Sequence, residues 1–185
     1  MDHRGHVLPS EGEQRGLRAL SASLDALAEV AERDPDAEWG KTREVLEWLH
    51  FCDEAAADRL TPLRYYALRA ASADGQAQAG LMLARGLVHH NHAAEVQDLI
   101  WKPTETLVMV DGAWKPMMTS VMVDGEWKPM VSSVAVRAWP RLDLLPRLPP
   151  GQKTHGRDVH YSQHVEGRAL MDPLLAAQRF LVALP

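Results

Sequence analysis

The stretch DPDAEWGKTREVLEWLHFCDEAAADRLTP, residues 34–62, divides the N-terminal half of the chain into helices. It opens on Asp34-Pro35-Asp36 and closes on Thr61-Pro62. At each end a side-chain oxygen can accept from the free N–H groups of a new helix. The following proline occupies the first turn, where its missing N–H costs nothing. Between them Val45, Leu46, Leu49, Cys52 and Ala56 fall on one face and predict a buried helical stripe. Upstream, Leu17, Leu20, Leu24, Leu27 and Ala31 repeat that spacing, behind a polar stretch, residues 1–15, that is expected to fray as a disordered tail. Downstream, Leu63, Tyr66, Ala67 and Ala70 predict a third helix, which Asp74-Gly75 breaks. Ala77, Leu81, Ala84 and Val88 predict a fourth. Four helices with short joints read as an antiparallel bundle over residues 16–99.

The middle of the chain differs in kind. Trp-Lys-Pro recurs at 101–103, 114–116 and 127–129, and Val-Met-Val-Asp-Gly occurs at 108–112 and 121–125. Val-Met-Val favours strands, and Asp-Gly favours the positive φ of a two-residue hairpin turn. Proline after each Trp-Lys marks an edge or an end of pairing. Residues 100–139 therefore predict a small β-meander, with its tryptophans packed on the bundle. Residues 140–157 read as a loop: positions 139–156 contain Pro140, Pro146, Pro149, Pro150, Gly151 and Gly156. A short helix near 158–166 and a final one opened by Asp172-Pro173, with Leu174, Leu175, Gln178, Phe180 and Leu181 on its inner side, complete residues 158–185 and are expected to pack on the bundle. The fold class so read is α+β: an N-terminal antiparallel helical bundle, a small β-meander and a C-terminal helix.

Composition narrows function. Of 185 residues, 46% are hydrophobic, enough for one core, and the single cysteine, Cys52, excludes an internal disulfide and any zinc site built on two thiolates. No apolar run reaches the ~18 residues of a membrane span, and the N-terminus has no apolar signal segment, so a cytoplasmic protein without membrane association is expected. Net charge is −5, split as −7 over 1–99, −1 over 100–136 and +3 over 137–185. That distribution is not that of an autonomous nucleic-acid binder. No phosphate-binding glycine loop or nucleophile elbow is present, and no cofactor is expected.

One cluster carries candidate chemistry: Arg85-Gly86-Leu87-Val88-His89-His90-Asn91-His92. Arg85 and His90 are separated by four residues, and Arg85 and His92 by six. Here the chain resembles the HEPN superfamily, small helical bundles with an Arg-x(4–6)-His motif late in the bundle. The resemblance implies a metal-independent endoribonuclease of a defence or toxin system, acting on RNA from a site shared by two protomers of a homodimer. His90 would move a proton at the ribose 2′-OH or the leaving oxygen, and Arg85 would stabilise the charged phosphorane. At 100° per residue His92 lies about 20° from Arg85 and His90 about 140° away, so a continuing helix favours His92 and one ending near Val88 favours His90. His90 is the first choice and His92 the second. Gly86 stands where many active members carry a polar residue.

The other features read more plainly. The segment Tyr161–Arg168, together with Arg85 and His89-His90, is similar to uncharacterised actinobacterial and phage proteins. The Val-x-Val-Asp-Gly-x-Trp-Lys-Pro units resemble β-repeats of phage tail and surface proteins. They imply the alternative reading, a non-catalytic interaction or assembly protein that docks a protein partner through Trp101, Trp114 and Trp127 of the meander. His160 and His164, with His155, have a spacing two metal ligands can use, but two surface histidines on a polar helix are the preferred reading and no metal is expected. Cys52 reads as a small core hydrophobe rather than a nucleophile.

Overall fold

Helix starts are where side chains meet free backbone donors. Ser10 Oγ accepts from Glu13 N at 3.1 Å, and Asp34 Oδ1 accepts from Asp36 N at 3.0 Å and Ala37 N at 3.1 Å. These caps open α1 (Glu11–Val30) and α2 (Pro35–Leu60). The computed structural model describes residues 8–30, 34–89, 96–97, 100, 107–110, 113–116, 119–123, 126–130, 138–147 and 156–185. Helix α1 thus starts inside the 1–15 stretch that composition marks as a fraying tail. Its Glu13 is buried against Arg59 of α2, with Nε–Oε2 at 2.8 Å and Nη2–Oε1 at 3.0 Å.

The joint to α3 (Pro62–Ala70) is one residue long. Thr61 sits there at φ 68°, ψ 143°, and its side chain caps nothing. The expected repeat of the cap-then-proline device is therefore absent at this joint. A residue before proline is pushed out of the helical region, and here the turn between two helices forces it to positive φ. For a β-branched residue that conformation stores about 1–3 kcal/mol.

The face of α3 is also not the expected one. Tyr65 is fully buried, whereas Leu63 is 85% and Tyr66 49% exposed. The buried Tyr65 hydroxyl donates to Asp53 of α2, so a polar partner set the helix's rotation.

Helix α4 (Ala73–Leu87) begins at Ser72, whose Oγ accepts from Gly75 N at 3.0 Å. Asp74-Gly75, expected to break a helix, lies in its first turn. Glycine is required there because a Cβ would sit 2.3 Å from the Arg69 carbonyl oxygen. Every residue from Ala77 to Ala84 is buried, the mark of a central helix rather than a bundle's edge. It packs against α5 (Arg157–His164) and α6 (Met171–Ala183), with α2 and α3 flanking it; α6 reaches back to α1 and α2. Gly80 lets α5 approach, since a Cβ there would stand 2.9 Å from the Tyr161 backbone. Leu174, Ala177, Phe180 and Leu181 of α6 close the core together with Trp139, whose Nε1 donates to Leu170 O at 2.9 Å. Leu175, expected inside, is 37% exposed.

The α+β class is corrected. Six α-helices, the helical positions Val96 and Ile100, and the Trp139 segment supply the described core, so the body is all-α. Among the described residues the strands do not form a meander: β1 (Leu107–Val110) pairs with β2 (Ala113–Pro116) alone, and β3 (Thr119–Val123) with β4 (Glu126–Met130) alone. Each repeat unit closes on itself across its Asp-Gly. The proline in β2 and in β4 removes a donor that a further strand would need.

Candidate functional site

Arg85 lies in the last turn of α4, ahead of a wider π-turn at Val88–His89. Its Nη2 meets Glu47 Oε2 of α2 at 3.0 Å, and its side chain is mostly buried. Arg85 Nε is buried with no hydrogen-bond partner. The guanidinium is thus anchored to the bundle, with its buried Nε unused. His90, His92 and Trp101 lie outside the described residues, as does His155. Trp114 stands opposite Met109 in the first hairpin and Trp127 opposite Met122 in the second; where their rings pack also lies outside what is described.

A second constellation forms between α3, α4 and α5. Tyr66, Arg69 and Ala70 of α3, Gln76 and Ala79 of α4, and Arg157 and His160 of α5 line a cleft of about 580 Å³. Arg69 and Arg157 bring guanidinium groups to it, and no carboxylate is among the described lining residues. Spacing explains the pair on α5: residues three apart share a helix face, so Arg157 and His160 project together. No carboxylate among the described residues pairs with Arg157, and His160 Nδ1 is buried without a partner.

Arg69 is held from beneath. Its Nη1 donates to Asp53 Oδ1 at 3.2 Å and Gln78 Oε1 at 3.3 Å. Gln78 Nε2 donates to the same Asp53 oxygen at 2.7 Å, and Tyr65 adds its hydroxyl. The guanidinium carbon lies 4.7 Å from the centroid of the Tyr66 ring and 5.5 Å from that of Tyr65. One buried carboxylate therefore organises an arginine that lines the cleft. Sequence reading missed this group. The available signal was Tyr65-Tyr66 with Arg69 three and four residues on, the spacing at which an arginine covers a ring on its own helix.

The remaining candidates separate. His160 lines this cleft, whereas His164, on the same helix, lines a smaller hollow with Arg168, Asp172 and Arg179. Burial holds the His164 imidazole below its ordinary 6.5, and the charges of His160 and Arg168 add to that. Among the described residues no three His, Cys, Asp or Glu side chains gather as a metal-holding group. Burial, with the carboxylates of Glu13 and Asp53 nearby, pushes the Cys52 thiol up to about 12. At neutral pH it is a thiol inside the core, not a nucleophile. Among the described residues no helix is long and apolar enough to cross a membrane. No family model matches the chain, and neither does any curated protein or solved structure.

Proposed function

We propose that this chain is a helical binding protein that takes a phosphate-bearing ligand in the cleft between α3, α4 and α5. The observation that carries the reading is the presence of Arg69, Arg157 and His160 in one cleft with no carboxylate among its described lining residues. In a chain of net charge −5 such a spot is a local exception to a field that repels anions. Guanidinium groups suit a phosphate's fork of oxygens, and the His160 imidazole lies in the same lining. Titration calorimetry with inorganic phosphate tests this. Wild type is expected to bind, with affinity falling as salt rises, and Arg157→Ala to weaken binding by about tenfold. Absence of binding, or an Arg157→Ala variant that binds as wild type does, overturns it.

A second reading keeps the HEPN-like ribonuclease, acting as a homodimer on RNA. What supports it is the unused, buried Nε of Arg85 at the end of α4, beside a segment rich in histidine. What weighs against it is Glu47, whose carboxylate competes with a phosphodiester for the same guanidinium. Purified protein incubated with RNA in chelator decides it: cleavage abolished by Arg85→Ala and by His90→Ala or His92→Ala supports the reading. No cleavage by wild type removes it.

A further inference from the structure

We infer that the ligand of the α3–α4–α5 cleft carries a flat aromatic ring beside its phosphate, a claim that rests on the anion-binding reading above. The cleft is several times larger than a phosphate needs, and its volume of about 580 Å³ is that of a small-molecule site. Its lining is divided by chemistry. Arg157 and His160 on α5 supply hydrogen-bonding groups, while Tyr66 on α3 supplies the one phenol ring among the described lining residues.

That ring is half exposed on a helix whose neighbouring tyrosine is fully buried. It is also held in place. The Tyr65 ring meets it edge-on at 5.6 Å and 61°, and the Arg69 guanidinium lies 4.7 Å from its centroid. Asp53 and Gln78 fix Arg69 in turn. An ordered Tyr–Arg layer beside open volume is a stacking platform: it meets a planar ring at little entropic cost and gives a saturated ring no comparable contact. Gln76 donates its Nε2 to Ala70 O at 2.8 Å, which leaves its amide oxygen as an acceptor in the same lining. A ring bearing a phosphate can therefore satisfy both halves of the cleft at once. Nucleotides and simple aryl phosphates share that chemistry.

Calorimetry with a matched panel tests the inference on the full chain. Phenyl phosphate and AMP are expected to bind about tenfold tighter than cyclohexyl phosphate and ribose 5-phosphate, respectively. Tyr66→Leu is expected to remove that preference, read as the ratio of affinities within each matched pair, and to leave the helical melting profile intact. Tyr66→Phe is expected to retain the preference. AMP tighter than phenyl phosphate assigns the ring to a nucleotide, and the reverse order assigns it to an aryl phosphate; both support the inference. Equal affinity for flat and saturated partners overturns the inference while phosphate binding stands. No binding of any member, inorganic phosphate included, overturns both.

Discussion

Asp53 shows how much one residue organises. Its carboxylate accepts from Tyr65, Gln78 and Arg69, so three elements converge on one buried charge. Two physical effects oppose each other when that charge is removed. Coulomb's law alone says that Asp53→Asn makes the cleft more positive and anion binding tighter. Loss of the charged acceptor says that Arg69 loosens and binding weakens. The geometry favours the second, because Arg69 takes its fixed position from this oxygen. Asp53→Asn is expected to lower stability by about 1–3 kcal/mol in urea unfolding, and to weaken rather than strengthen phosphate binding by calorimetry. Tighter binding in the variant would show that charge, not position, is what Asp53 contributes.

At the scale of elements, close approach and titration decide what α4 and α5 tolerate. Gly80→Ala places a methyl 2.8 Å from Val165 Cγ2 and 2.9 Å from the Tyr161 backbone, where nothing short of moving α5 relieves it. A loss of about 1–3 kcal/mol is expected, despite alanine's better helix propensity. Gly86, on the same helix, has nothing within 4 Å of the added Cβ. There Gly86→Ala is expected to gain about 0.5–1 kcal/mol, so thermal melting should move in opposite directions for the two variants. On α5, His164 has its pKa lowered by burial, then by His160 and Arg168. The folded chain therefore binds fewer protons than the unfolded one between the lowered value and 6.5. The stabilisation is complete above 6.5 and is lost as pH falls through the lowered value. His164→Gln is expected to show a smaller fall in melting temperature than wild type between about pH 7.5 and about pH 5.5.

Across the whole molecule one arginine ties the first described helix to the segment after the last. Arg59 of α2 grips Glu13 of α1 in a buried bidentate pair and also donates to the Pro185 carbonyl beyond α6. Removing Glu13 takes the carboxylate from a buried guanidinium that keeps the Pro185 carbonyl, so Glu13→Ala is expected to cost about 3 kcal/mol in denaturant unfolding. The periodic stripes of α1, α2 and α4 were legible from composition and spacing, because Leu20, Leu24, Leu27, Val45, Leu46 and Leu49 have no other way to leave water. The Asp34 cap was legible too, since it is a local hydrogen bond. The rotation of α3 was not, nor was the cleft it borders. Tyr65 and Tyr66 are equivalent to any local rule, and only a carboxylate twelve residues earlier, brought over by the strained turn at Thr61, chooses between them. The all-α class was likewise hidden behind strand-prone repeats whose pairing ends within each unit. The sequence by itself determined which segments are helical and which of their apolar faces must be covered, because those follow from interactions a few residues apart. Tertiary structure alone decided which tyrosine faces water and which cations meet, because those depend on groups that are distant until the chain has folded.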